Sequence, residues 1–323
     1  MGKQFTDDKK VGILVTGGAG FIGSHLVEKL LDNNYAVTII DNFDSFYGKE
    51  IKERNIAAFI NNPAVTFVEL DLLNETALNE LEGQYEAIVH LAAKAGVRPS
   101  IENPISYQDV NVKGTQNLLE FAKKRNILQF VFASSSSVYG INKNFPWKES
   151  DAVLNPISPY ASTKISGELL GHVYSHLFGI RFIALRFFTV FGPRQRPDLA
   201  IHLFSKKILN DESITVFGNG STRRDYTYVT DTVQGIFNAI HYTRTSFEVF
   251  NLGNHQTVSL SEMISTIEEV LEKKAIIKHL PEQMGDVPIT FADISKAQQL
   301  LNYIPKTNFK EGIINFKNWL TAQ

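Results

Sequence analysis

The stretch VGILVTGGAGFIGSHLVEKLL, beginning at Val11, constrains the fold more than any other part of the chain. An apolar, β-branched run reads as a strand, a turn follows with glycines at 17, 20 and 23, and an amphipathic pattern then opens a helix. Glycine lets the backbone turn tightly, approach a pyrophosphate and pack helix on strand, and the helix N-terminus adds free N–H groups and a positive dipole end. The second apolar run ends at Asp41, eighteen residues after Gly23. A carboxylate there can accept both hydroxyls of an adenosine ribose and repels a 2′-phosphate, and no arginine follows it closely, so the pattern predicts NAD rather than NADP.

The alternation continues along the chain. AVTII from Ala36, VTFVEL from Val65, AIVHLAA from Ala87, FVFAS from Phe130 and RFIALRFF from Arg181 are near-continuous apolar runs separated by helical patterns. Such runs belong to strands buried on both faces, and they predict an α/β fold with a doubly wound parallel sheet, Rossmann-like. Beyond Gly192 the alternation loosens into GPRQRPDLA and FGNGSTRRDY. SLSEMISTIEEVLEKK then reads as a helix with Ser259 as N-cap and Glu262 closing a capping box. The expected division is a cofactor domain of residues 1–190 plus about 230–253, and a smaller, mostly C-terminal lobe of about 191–229 and 254–323.

Composition narrows the classes of function. A chain of 323 residues holds one large or two unequal lobes with a sizeable core. Lys+Arg 32 nearly balances Asp+Glu 34, and no dense basic cluster offers a footprint for phosphate backbones, so no nucleic-acid partner is expected. The absence of cysteine removes disulfides and thiolate metal sites, and no metal is expected. The segment MGKQFTDDKK lacks an apolar signal core, and no run approaches the ~18 residues of a membrane span. A soluble, cytoplasmic protein is the expectation.

A tyrosine and a lysine four apart share one face of a helix, where the ammonium can favour the phenolate and make it a usable base. That spacing occurs twice. Tyr139 and Lys143 are separated by an immediate glycine and run into NKNFPW, where no helical face exists. Tyr160 and Lys164 follow a Ser-Pro pair and continue as ISGELLGHVYSHLFG, a helix pattern, so they are the expected catalytic pair.

VTGGAGFIGSH, Asp71-Leu72, HLAA from His90, NVKGT from Asn111, SSSSVYG, YASTK, RFFTVFGP and RRDYTYV stand in one order along nearly the whole chain. In these motifs the chain resembles the extended short-chain dehydrogenase/reductase family, among its NAD-dependent nucleotide-sugar epimerases and dehydratases. The resemblance implies that Gly17, Gly20, Phe21, Ile22, Gly23, Asp41, Asn42, Asp71, Leu72, Leu91, Ala92, Ala93 and Asn111 bind NAD together with Tyr160 and Lys164. It implies that Ser135 helps Tyr160 and Lys164 at the sugar 4-hydroxyl, that the second lobe binds the nucleotide sugar, and that the enzyme is a homodimer.

The neighbouring residues separate the chemistries. Family 4,6-dehydratases carry an Asp-Glu pair after the catalytic threonine, and UDP-glucuronate decarboxylases a glutamate before VYG; here Ser136 and Ser137 stand instead. Elimination lacks its acid and base, and oxidation followed by re-reduction remains. With Thr189 where relatives acting on neutral or N-acetylated sugars have asparagine, and with AGVRPSIENP and GPRQRPD, the pattern is most similar to members that epimerise C4 of UDP-glucuronate, giving UDP-galacturonate. Ser136, Ser137 and Thr189 are then expected to donate to the sugar's C6 carboxylate, and Arg98, Arg196, Arg224 and Asp286 to line the substrate. Many relatives have an arginine shortly before the position of Gly285-Asp286, where this chain has Gln283. A 4-epimerase for UDP-N-acetylhexosamines and a non-catalytic NAD-binding sensor are the alternatives; an intact Ser135, Tyr160 and Lys164 speaks against the sensor.

Overall fold

The structure, a computed structural model, describes residues 11–281 and 287–322. Asp286, Gln283 and the segment MGKQFTDDKK lie outside the described residues.

The six apolar runs form β1 (Gly12–Thr16), β2 (Ala36–Asp41), β3 (Val65–Glu69), β4 (Tyr85–His90), β5 (Gln129–Ser135) and β6 (Arg181–Phe187). The chain then makes the short strands β7 (Thr189–Phe191), β8 (Ser213–Phe217), β9 (Arg223–Arg224) and β10 (Tyr226–Tyr228) before β11 (Phe247–Leu252) returns to the main sheet. The order is β11-β6-β5-β4-β1-β2-β3 and every pairing is parallel. Strand β11, FEVFNL, escapes the sequence pattern because its first half is only partly buried and it carries Glu248 and Asn251.

Alternate side chains of each strand enter opposite cores. Ile13, Val15, Val89, Val131 and Ile183 pack on one face, and Leu14, Ile88, Phe130, Phe132 and Phe182 on the other. Double burial explains why the strands read as continuous apolar runs rather than alternating ones. The strand order reverses between β1 and β4, which opens a crevice at the carboxyl ends of the strands.

The helix Pro159–Phe178 packs against β5 and β6. Ser158 caps it by accepting from Ala161 N at 3.1 Å, Pro159 occupies the first turn, and Gly179 ends it at φ 68°. A Cβ on Gly167 would fall 2.3 Å from the Phe132 ring, and one on Gly171 2.2 Å from the Phe182 ring, so these glycines bring the helix down onto the sheet.

In the C-terminal part β12 (Val258–Ser259) pairs antiparallel with β9, and β13 (Ile276–Leu280) pairs parallel with β8. The capping box is present: Ser259 Oγ accepts from Glu262 N at 3.1 Å, and Ser259 N donates to Glu262 Oε2 at 2.6 Å. Among the described residues no helix is long and apolar enough to cross a membrane.

Candidate active site

A cavity of about 380 Å³ lies in the crevice. Gly17, Gly20, Phe21, Ile22, Gly23, Asp41, Asn42, Asp71, Leu72, Leu91, Ala92 and Ala93 line one part of it, and Ser135, Tyr160, Lys164, Thr189 and Arg196 another. The glycine turn fits a dinucleotide. A Cβ on Gly23 would sit 2.2 Å from Gly17 O, and Gly17 itself, at φ 71°, has Ala92 N 2.8 Å from where a Cβ would be. Gly20 precedes the helix Phe21–Asp32 without any side chain capping it, so the first N–H groups and the dipole are left for an anionic group.

Asp41 is buried at the end of β2. Its Oδ1 accepts from Phe43 N and from Lys52 Nζ, both at 3.0 Å, and its Oδ2 from Ala19 N at 3.3 Å. The ammonium of Lys52 is a partner that sequence reasoning missed, since it arrives from the next helix, eleven residues on. Asn42 donates to Asp71 Oδ2 at 2.9 Å, joining the ends of β2 and β3 on this side of the cavity.

Asn111 sits behind the cavity wall rather than on it. Its amide nitrogen donates to Lys94 O at 2.9 Å and Thr163 Oγ1 at 3.0 Å, and its Oδ1 accepts from Lys94 N at 2.8 Å. With the amide engaged in this way, Asn111 ties the loop after β4 to the helix that carries Tyr160. It lies in a π-helical turn, Gln108–Lys113, a geometry concentrated at functional sites. His90 continues the chain of bonds: Thr115 Oγ1 donates to Asn111 O at 2.6 Å, so it accepts from His90 Nε2–H at 2.9 Å, and His90 Nδ1 accepts from Thr16 Oγ1 at 2.7 Å. Complete burial pushes the His90 imidazole down to about 3, which keeps it neutral.

Tyr160 and Lys164 lie one turn apart on the capped helix, both facing the cavity. Lys164 Nζ donates to Ala133 O at 2.7 Å and lies 5.8 Å from the centre of the Tyr160 ring. Burial pulls the Lys164 ammonium down to about 7, and the charge of Glu168 opposes that shift. Burial raises the Tyr160 hydroxyl above the ordinary phenol value, opposed by a hydrogen bond from Ser135 and by the charge of Arg196. Ser135 Oγ in turn accepts from Ser137 N at 3.2 Å and Ser137 Oγ at 2.9 Å, which leaves its own proton for Tyr160.

The four serines after β5 therefore have separate environments. Ser134 is buried and donates to Glu168 at 2.5 Å, and Ser135 faces Tyr160. Ser136 and Ser137 form the first half of a single 3₁₀ turn and are not part of the cavity's described lining. Thr189 is on that lining, with its backbone fixed by donation to Asp225 O at 3.0 Å. Arg196 reaches the cavity over the Phe46 ring at 5.1 Å, with its guanidinium forked onto Asp198 at 3.0 and 2.8 Å. Arg98 and Arg224 lie away from this lining: Arg98 is over the Phe217 ring at 5.3 Å, and Arg224 donates to Arg223 O at 2.9 Å. Tyr139 is buried in the 3₁₀ turn ended by Gly140 while Lys143 is exposed, so that second pair shares no face.

A strand–glycine–helix turn, an acid at the end of β2 and a half-buried Ser-Tyr pair with a buried lysine on one crevice define a dinucleotide-dependent enzyme. The model of the NAD dependent epimerase/dehydratase family matches residues 13–253, and the chain belongs to that family. It is 39% identical to a UDP-glucuronate 4-epimerase of Thermodesulfobacterium geofontis over 95% of each chain. The crystal structure of UDP-glucuronic acid 4-epimerase from Bacillus cereus, in complex with UDP-glucuronic acid and NAD, superposes with a TM-score of 0.90 at 39% identity, covering 97% of this chain and 99% of that one. UDP-N-acetylglucosamine 4-epimerase from Methanobrevibacter ruminantium gives the same TM-score, 0.90, at 33% identity over 98% and 99% of the two chains.

Proposed function

We propose that the protein is a UDP-glucuronate 4-epimerase, a cytoplasmic isomerase interconverting UDP-glucuronate and UDP-galacturonate. The observation that carries this reading is the shared cavity wall of Ser135, Tyr160, Lys164, Thr189 and Arg196, together with serines rather than carboxylates after Ser135. The likenesses to UDP-glucuronate 4-epimerases of two bacteria support it. NAD, when bound, supplies a reversible acceptor for the C4 hydride, held by the glycine turn, Asp41 and the loop after β4.

The chain's own residues manage the proton and the charge. Tyr160 takes the proton of the 4-hydroxyl and returns it. Ser135, oriented by Ser137, donates to the tyrosine oxygen, and the Lys164 ammonium, seated on the Ala133 carbonyl, favours the phenolate. Thr189 and Arg196 hold the C6 carboxylate, with Ser136 contributing from the adjoining turn, while Ser137, whose hydroxyl is given to Ser135, acts through that residue. Arg98, Arg224 and Asp286 serve the diphosphate and uridine end. The residues up to about 190 and about 230–253 form the NAD domain, and the remainder the nucleotide-sugar domain.

The exposed side chains Leu169, Val173 and Leu177 form an apolar stripe on the helix Pro159–Phe178, beside exposed Ile101 and Ile105, and this stripe is the homodimer face of the proposal. Light scattering of Leu169→Glu should then read a monomer, and a wild-type monomer would remove the idea. A second reading, a 4-epimerase of UDP-N-acetylhexosamines, is favoured by the Methanobrevibacter likeness at equal TM-score. Incubation with UDP-glucuronate, UDP-glucose and UDP-N-acetylglucosamine, followed by NMR of the products, decides. UDP-galacturonate from the first alone supports the proposal, selective turnover of the third supports the alternative, and bound NAD without any turnover leaves only a sensor.

A further inference from the structure

We infer that Glu168 and Arg186 form a positioning pair for the catalytic lysine and tyrosine, bracing the end of β5 and setting the charge that Lys164 offers to Tyr160. The inference rests on the proposed role of those two groups. Glu168 follows Lys164 by one helical turn on the same buried face. Its Oε1 accepts from Ser134 Oγ at 2.5 Å and Arg186 Nε at 2.9 Å, and its Oε2 from Arg186 Nη2 at 2.8 Å. Arg186 is itself buried and donates through Nη1 to the Tyr139 hydroxyl at 3.0 Å. Tyr139 donates to Asn251 Oδ1 at 2.7 Å, and Asn251 Nδ2 reaches Trp147 O at 2.9 Å. One polar chain thus crosses the ends of β5, β6 and β11.

Its place matters for the chemistry. Ser134 stands between Ala133, whose carbonyl seats Lys164, and Ser135, whose hydroxyl serves Tyr160. Fixing Ser134 to the helix therefore fixes both contacts at once. The charged and titratable groups around the pair are few. On its own helix Lys164 has Tyr160 and Glu168; neutral His90 faces it from β4, Arg186 approaches Glu168 from β6, Tyr107 meets Tyr160 edge to face at 6.2 Å between ring centres, and the charge of Arg196 also acts on Tyr160. Glu168 is the negative charge that opposes the loss of the lysine's proton. A fork onto Arg186 holds that carboxylate in one orientation.

The test is substrate-independent, so failure of the sugar assignment and failure of this inference are distinguishable. In NAD-loaded protein with lysines labelled at the ε carbon, the Lys164 resonance is assigned by its loss in Lys164→Arg and followed against pH. Glu168→Gln keeps the side chain's shape and removes its charge. Its Lys164 midpoint should fall by roughly one pH unit, a loss of ammonium at fixed pH, and kcat should fall while NAD content holds. A folded Glu168→Gln with the wild-type midpoint overturns the inference. Should that variant fail to fold, Glu168→Met/Arg186→Met, an apolar replacement of a buried pair that such sites often accept, decides by the same midpoint: lowered supports the pair, unchanged overturns it.

Discussion

The hydroxyl of Ser137 donates to that of Ser135 at 2.9 Å, two residues away across the first turn after β5. Because Ser137 N points at the same oxygen from 3.2 Å, the acceptor side of Ser135 is engaged and its proton is directed at Tyr160. Ser137 acts on the reaction through Ser135.

Ser135→Ala should cost about 10²-fold in kcat, the scale of losing one partner in proton transfer. Ser137→Ala should cost about tenfold, with KM for the nucleotide sugar little changed, since only the orientation of Ser135 is loosened. Steady-state kinetics separate the two. A Ser137→Ala enzyme whose main defect lies in KM would place Ser137 on the substrate instead.

The two tyrosines with lysine partners should respond to phenylalanine in different currencies. Tyr160→Phe removes the base and should lower turnover by about 10²-fold or more with NAD retained. Tyr139→Phe removes a hydroxyl that accepts from Arg186 and donates to Asn251 inside the core, so its main effect should be on thermal stability, at about 1–3 kcal/mol for buried partners left unmade. Kinetics and melting curves of both proteins are the check. A catalytic loss in Tyr139→Phe as deep as that in Tyr160→Phe, with stability intact, would contradict the assignment.

Local pattern carried much of this architecture. Strands buried on both faces leave continuous apolar runs, and a pyrophosphate turn leaves glycines, so β1 to β6 and the turn at Gly17 to Gly23 are legible one segment at a time. What pattern does not carry is pairing across the fold. Lys52 reaches Asp41 from another element, and nothing in the run ending at Asp41 announces it. Asn111 belongs to the motif NVKGT, and from its π-helical turn its amide bonds to Lys94 and Thr163, partners far along the chain that the motif does not announce. Ser134 to Ser137 look alike in sequence and differ in place, since adjacent residues of a strand face opposite sides and the last two have left the strand. Glu168 stood on the helical stripe of Tyr160 and Lys164, one further step of four, and that spacing was the available signal.

Acid should destabilise the fold through His90. Its folded value, near 3, lies below the ordinary 6.5 because burial penalises the imidazolium, so between those values the unfolded chain binds a proton that the folded one refuses. The stabilisation is present above about pH 6.5 and is lost as pH falls toward 3. His90→Leu, neutral in both states, should be less stable at pH 7, having lost partners for Thr16 and Thr115, yet lose less on going from pH 7 to pH 5. Urea melts at the two pH values measure the slopes. Equal slopes in wild type and variant would assign the acid sensitivity to other groups.

Thr189 bears on the fate of the intermediate. Oxidising C4 of a uronic acid places a ketone β to the C6 carboxylate, an arrangement that loses carbon dioxide when the C5–C6 bond aligns with the carbonyl π system. An epimerase must hold the carboxylate out of alignment and well hydrogen-bonded while C4 presents its other face, a positioning task suited to preorganised donors. Thr189 and Arg196 reach the cavity, whereas Ser136 and Ser137 are outside its described lining, so Thr189→Val is the sharper test. The backbone of Thr189 is fixed by Asp225 O and by pairing with Tyr226, and valine suits a strand, so the fold should be retained. Removing a hydrogen bond to a charged group should cost ~1.5–3 kcal/mol, or about 10- to 150-fold in kcat/KM for UDP-glucuronate, and should raise the share of decarboxylated 4-keto-pentose product. Product NMR beside initial rates reads both effects. If rate and product ratio on UDP-glucuronate both stay at wild-type values in a folded Thr189→Val, Thr189 has no part in holding the carboxylate and the neutral-sugar reading gains.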